Sequence, residues 1–215
     1  ATRKVATRQG EVTITGIAKG VGMIQPDMAT MLAYIGTDAR LTGAAVQSAL
    51  KQAVARSFNC VTVDGDTSTN DSCILFATAR VGTQDVAAQH PDYDVIAGAI
   101  EQVCLELAHA VVRDGEGATK FITIEVQGGA DVEECRRAAY AVAHSPLVKT
   151  AFFGSDPNWG RILAALGRSG IAGLDVQGVE MDLNGSAIVR GGARTPDYEE
   201  ARGLAAMQAQ ESTLC

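Results

Sequence analysis

The sequence predicts an α/β protein built of layered sheets covered by helices, and three observations carry that expectation. Segments with the two-residue alternation of strands are interspersed along the whole chain with longer segments of helical period. Several strand candidates follow one another directly, which departs from a strict βαβ repeat and favours mixed sheets with helices packed on them. The chain has 215 residues, 47% hydrophobic and 20% charged, enough to bury one large core or two small ones.

Taken in order, Val12, Ile14 and Gly16 alternate with Thr13 and Thr15, a half-buried strand that ends at Ile17 before a glycine-bearing loop. Residues 31–36 are a second strand. Thr42 is the N-cap of a helix reaching about residue 59, with Val46, Ala49, Leu50, Ala53, Val54 and Phe58 at helical spacing. Residues 60–63 and 72–79 read as strands separated by the polar cluster "DGDTSTND". A long amphipathic helix over 91–113 places Ile96, Ile100, Val103, Leu107 and Val111 on one face. Residues 121–126 alternate as a strand, and Asp131 with Glu134 forms a capping box for a helix to about His144. A helix over 157–168 opens on Pro157. Strands over 179–183 and 187–189 turn at "NGS", and a last helix covers 197–208. The expected organisation is a main layered unit over 1–146 and a smaller C-terminal subdomain over 147–215.

Eighteen basic against 25 acidic residues give a formal charge of −7, and no basic stripe is present, so a nucleic-acid partner is not expected. No membrane span or signal peptide is read from the sequence, which makes a soluble intracellular protein the default. Cys60, Cys73, Cys104, Cys135 and Cys215 are widely spaced without a CxxC pair, so reduced thiols are expected rather than a disulfide framework or a metal site.

The chemical candidates fall into four groups. "KGVGMIQ" lacks the third Gly or Ala of a dinucleotide fingerprint, with Gln25 in its place, and there is no Walker lysine. "DGDTSTND" spaces Asp64, Asp66, Ser68 and Asn70 as a calcium loop would, yet Thr69 and Leu75 stand where Gly and a bidentate Glu are needed. It reads as a dense turn or as one wall of a polar site. His90, His109 and His144 are isolated, with no nucleophile elbow nearby. Thr30 remains: a threonine hydroxyl becomes a useful nucleophile when its own α-amine, of pKa about 8, is freed to take the proton. That requires the Ala29-Thr30 bond to be cut first, by the hydroxyl attacking its preceding carbonyl.

The stretches "AKGVGMIQPDMATMLAYIGTDA", "SFNCVTVDGDTSTNDSCILFA", "DGEGATKFITIEVQG", "VAHSPLVKTAFFGSDPNWGRILAALGRSGI" and "MDLNGSAIV" resemble the ornithine acetyltransferase family, also called bifunctional glutamate N-acetyltransferase. The blocks follow in matching order over nearly all of the chain. The resemblance implies an arginine-biosynthesis enzyme that cuts itself between Ala29 and Thr30. Thr30 then carries the acetyl group from N-acetylornithine to glutamate as an ester. It also implies a substrate-binding lysine at Lys19 and a substrate-binding glutamate at Glu116, for substrates that carry carboxylate and ammonium groups. The implied fold is similar to N-terminal-nucleophile hydrolases, two sheets between helices with distinct connectivity.

No cofactor is implied, although acetyl-CoA serves some members as a second acetyl donor. Partners are the small-molecule substrates, with paired α and β chains in an oligomer and no nucleic acid or membrane. The cytoplasm is the expected compartment, or the mitochondrial matrix in a eukaryote. The family's oxyanion-stabilising Thr-Gly pair and a further substrate-contacting threonine match no segment here, nor do its C-terminal strands with their substrate-binding Asn. A piece of a longer enzyme is therefore expected. Two alternatives stand beside the transferase: an amide hydrolase on a related self-cleaving scaffold, and an inactive truncated or unprocessed form.

Overall fold

A computed structural model describes residues 1–25 and 31–215. The chain divides into two compact units, residues 1–118 and 119–215.

In the first unit, strands β1 (Thr2–Thr7), β2 (Gly10–Lys19), β3 (Leu32–Leu41) and β4 (Ser72–Val86) form one sheet in chain order. β1–β2 and β2–β3 pair antiparallel, and β3–β4 pair parallel. The parallel pair needs a crossover, and helix α1 (Gly43–Ala55) supplies it; helix α2 (Tyr93–Arg113) follows β4. As expected, Thr42 caps α1 by accepting a hydrogen bond from Ala45 N.

The alternation of β2 and β3 decides which face the helices cover. Val12, Ile14, Ala33, Ile35 and Ala39 are buried together with Ile96, Ile100, Val103 and Leu107 of α2 and with Ala45, Ala49 and Ala53 of α1. Gly16 lets α2 come close: a Cβ there would stand 2.9 Å from both Leu107 Cδ1 and Val103 Cγ1. On the opposite face Ile17, Tyr34, Ile74 and Phe76 are exposed, with Ile17, Tyr34 and Ile74 aligned across three strands. Ile17, Tyr34 and Phe76, with Gly36, line a depression of about 450 Å³. Helix α2 is long and apolar enough to cross a membrane, by length and composition only, which the sequence reading did not anticipate. Its buried residues recur at three- and four-residue spacing, the pattern of a helix packed on a core by one face.

Three expectations are revised here. β1 was not read from the sequence, being mostly polar and exposed. The helix expected to reach residue 59 ends at Ala55, followed by a 3-10 turn at Phe58–Cys60. The strand expected over 60–63 is a loop, because Val63 N and the Thr62 hydroxyl both donate to the Ile24 carbonyl instead of entering a sheet.

The second unit has a five-stranded sheet in the order β5-β9-β6-β7-β8. These strands are β5 (Phe121–Ile124), β6 (Met181–Leu183), β7 (Ser186–Arg190), β8 (Ala193–Arg194) and β9 (Glu211–Leu214). Helices α3 (Val132–Ala143), α4 (Pro146–Phe153), α5 (Trp159–Gly167) and α6 (Glu200–Gln208) complete the unit. Val142, Val148, Phe152, Ile162, Met181, Leu183, Ile188, Val189, Met207 and Leu214 form its core.

The sequence reading began the smaller unit at residue 147. β5 pairs with β9, and those hydrogen bonds commit residues 121–124 to the second unit. In the capping box of α3, Asp131 accepts from Glu134 N, while the Glu134 carboxylate accepts from Ala130 N, one residue outside the usual reciprocal position. The turn between β6 and β7 is built on Asn184 and Gly185, both at positive φ (48° and 75°), as a two-residue primed hairpin turn requires. Lys120 ties two parts of the unit together, donating to Ser155 Oγ at 2.9 Å and to the Met207 carbonyl.

Candidate active site

Lys19 is the last residue of β2 and stands opposite Leu32 in the β2–β3 ladder. The chain leaves the sheet through Gly20 and Val21 and is then clipped by one carboxylate. Asp64 accepts from Met23 N at 2.7 Å, from Ile24 N at 3.1 Å and from its own loop at Asp66 N, 3.0 Å. Met23 is held at positive φ (52°), a conformation that a non-glycine residue keeps only when its surroundings fix it. Glu116 reaches the same place from the far end of α2, where its backbone N–H donates to the Val21 carbonyl at 2.7 Å. A Cβ on Gly22 would stand 3.4 Å from Glu116 Oε2 and 3.8 Å from Asp64 Oδ2. The glycine therefore opens the space in which the two carboxylates meet the loop.

The structure thus brings Lys19 and Glu116, two of the sequence-predicted site residues, to one end of the sheet. Both are exposed, and among the described residues no hydrogen bond or ion pair engages either side-chain charge. A cation and an anion without partners among the described residues suit a ligand that carries the opposite charges. Ala29 and Thr30 lie outside the described residues. The chain resumes at Met31, whose N–H donates to Asp71 Oδ1 at 2.9 Å and whose carbonyl accepts from Ser72 N at 3.1 Å.

The sequence reading did not single out Asp71 and considered Asp64 only as a calcium-loop position. Both belong to "DGDTSTND", read as a turn or as the wall of a polar site, and in the structure both accept backbone N–H groups from the segments that flank residues 26–30 in sequence. Their spacing alone could not reveal it, because their partners lie about 40 residues upstream.

Other candidates have structural duties. His90 Nδ1 accepts from Asp92 N, and Asp92, buried, in turn accepts from Arg8 N. Burial pushes the Cys73 thiol up to about 11, and burial with the neighbouring Cys73 and Glu101 pushes Cys104 up to about 12. Thiols in that range stay protonated and unreactive at neutral pH. Among the described residues no cluster of three or more His, Cys, Asp or Glu is placed to hold a metal ion.

The fold defines the class first. The crystal structure of arginine biosynthesis bifunctional protein argJ from Bacillus halodurans superposes with a TM-score of 0.77 at 34% identity, covering 84% of this chain and 85% of that one. The α/β architecture expected from the sequence, similar to N-terminal-nucleophile hydrolases, is the one found. The family follows from the sequence: the ArgJ family model matches residues 1–215, and the chain belongs to that family. Arginine biosynthesis bifunctional protein ArgJ of Methylococcus capsulatus is 51% identical over 214 residues, 100% of this chain and 52% of that protein. The protein of the same name from Pseudomonas syringae pv. tomato is 50% identical over 204 residues, 94% of this chain and 50% of that protein. The chain spans about half the length of these curated relatives.

Proposed function

We propose that the protein moves an acetyl group from N-acetylornithine to glutamate through an ester on Thr30, after cutting its own Ala29-Thr30 bond. The observation that carries this reading is the convergence of Lys19 and Glu116 on the end of the sheet where β3 starts, two residues after Thr30. Lys19 holds the α-carboxylate of donor and acceptor in turn, and Glu116 holds the side-chain ammonium of the ornithine donor.

In the first half-reaction the Thr30 hydroxyl attacks the acetyl carbonyl of the donor, and the free Thr30 α-amine takes the hydroxyl proton and returns it to the departing ornithine nitrogen. In the second, the neutral glutamate amine attacks the acetyl carbon, the bond from that carbon to the Thr30 oxygen breaks, and the proton lost by the amine passes through the Thr30 α-amine to that oxygen. Cleavage at 29/30 leaves two chains, with β2 on one and β3 on the other. Their antiparallel ladder runs from Ile14–Thr37 to Lys19–Leu32, so the sheet holds the halves together without the covalent link. The ladder supports an assembly of paired α and β chains; the reading further takes the substrates to be small molecules met in the cytoplasm, with no cofactor and with acetyl-CoA as an alternative donor.

The test is acceptor dependence. Incubation of the protein, produced with its native termini, with N-acetylornithine should yield N-acetylglutamate when glutamate is present. Release of acetate at the same rate with and without glutamate would identify a hydrolase instead.

A further inference from the structure

At the end of the first sheet opposite Lys19, the turn between β1 and β2 is docked on a distorted stretch of β4. Arg8 and Gln9 form that turn, closed by the Thr7–Gly10 pair. From Ala77 to Val81 β4 advances four residues while β3 advances two, and from Val81 to Val86 it advances five against two. Bulges of this kind re-aim side chains, often beside functional sites. Ala79 holds a positive φ (55°) there, fixed by Arg40, which donates to the Ala79 and Gly82 carbonyls at 3.0 and 3.2 Å. Gln9 fixes the second bulge. Its Oε1 accepts from Thr83 N and Gln84 N at 2.9 and 2.8 Å, and its Nε2 donates to the Gln84 carbonyl at 3.2 Å. A Cβ on Gly82 would stand 2.8 Å from Gln9 Oε1, so the clip needs a glycine at that position.

These elements border a cavity of about 600 Å³ lined by Arg8, Arg80, Thr83 and His90 among others, and none of its described lining residues is acidic. That reverses the sign of a chain whose formal charge is −7. Arg80 is exposed, and among the described residues no hydrogen bond or ion pair engages its side chain. The nearby acids are committed elsewhere. Asp92, buried, accepts from Arg8 N with both oxygens at 3.2 Å and lies 3.9 Å from Arg8 Nε and from His90 Nδ1. Asp85 stands 4.0 Å from Arg40. His90 Nδ1 accepts from Asp92 N at 3.1 Å, so the neutral ring carries its proton on Nε2 and keeps a donor there.

We propose that this cavity is a binding site for phosphate, either the free ion or the phosphate group of a small-molecule ester. Two guanidinium groups, an imidazole N–H and the Thr83 hydroxyl are separate donors around one cavity. The three terminal oxygens of a phosphate can engage more of them at once than the two oxygens of a carboxylate. Phosphate fills only a small part of the volume, which leaves room for a group that carries it. Lys19 closes β2 at its other end, and the length of that strand puts Lys19 roughly 30 Å away. A ligand here leaves the amino-acid anchors free, and the inference is independent of the acetyl-transfer reading.

The test is titration calorimetry with inorganic phosphate on the protein with its native termini. The expected result is binding with a Kd of about 0.1–1 mM, weakened at least about 10-fold in Arg80→Gln and in Arg8→Gln and unchanged in Lys19→Gln. Both arginine variants should keep the parent's melting temperature, because the two side chains are exposed and Arg8 reaches Asp92 through its backbone N–H. A second measurement needs no variant: phosphate should shift the amide resonances of Arg8, Thr83 and Gln84 and leave those of Lys19 and Leu32 in place. Ribose 5-phosphate is the other probe. Binding tighter than that of inorganic phosphate assigns the site to an ester, and equal or weaker binding assigns it to the free ion. Absence of saturable binding of both up to about 10 mM overturns the proposal, as does binding that stays within about twofold in both arginine variants. Binding lost in Lys19→Gln instead, or matched by succinate, overturns it as well.

Discussion

Removing the Asp64 carboxylate should loosen the segment that shapes the candidate active site without unfolding the protein. Asp64 accepts three backbone N–H groups, from Met23, Ile24 and Asp66, at 2.7, 3.1 and 3.0 Å. A hydrogen bond to a charged acceptor is worth about 1.5–3 kcal/mol when sheltered, and the exposure of two of these bonds puts each at or below the low end. Because the bonds share one acceptor they are not independent, and about 2–3 kcal/mol is expected for the set in Asp64→Ala. The segment opens locally, so the effect belongs in amide hydrogen exchange. Protection at Met23 and Ile24 should fall by about 30- to 150-fold, with amides of α1 unaffected. Since the same segment carries Gly22 past Glu116 and follows Lys19, KM for N-acetylornithine should rise about 10-fold. Exchange within about threefold of the parent together with an unchanged KM would refute the clip, because a surface carboxylate with no positioning duty changes stability by only a few tenths of a kcal/mol.

Gly16→Val should destabilise the first unit by about 1–3 kcal/mol in urea unfolding, as its side chain meets Leu107 and Val103 of α2. Gly185→Ala, forced to keep φ near 75°, should cost about 1 kcal/mol in the same measurement. Cys73 and Cys104 should resist a thiol reagent at pH 8 until the protein unfolds, since burial holds them near 11 and 12. The sign of their pH effect follows. Unfolded thiols ionise near pH 8.5 and the folded ones do not, so stability should fall as pH rises from about 9 to about 12, by at most about 1.4 kcal/mol per pH unit per thiol. Cys104→Ala should flatten that fall in a denaturation series across the range.

How much of this was written in the sequence depends on how local each signal is. Thr42, the Asp131–Glu134 pair and the Asn184-Gly185 turn act within four residues, and each appears where expected. The face of α2 was legible because five of its apolar residues keep a helical period. β1 and β8 were not legible: their residues are mostly polar or exposed, and only pairing with neighbours makes them strands. α4 offered a cue that was overlooked, Ser145 capping a helix that begins at Pro146. In the site, Lys19 and Glu116 entered through resemblance, and the structure adds their shared location. The roles of Asp64 and Asp71 depend on partners far upstream, a long-range fact that no local pattern carries.

The central claim is that Thr30 becomes an N-terminal residue and carries the acetyl group. The most direct measurement is intact mass with N-terminal sequencing, on protein quenched in acid after incubation with N-acetylornithine and no glutamate. The account predicts two chains, the second beginning at Thr30 and heavier by one acetyl group, which disappears when glutamate is added before the quench. A single uncut chain that still forms N-acetylglutamate would contradict it.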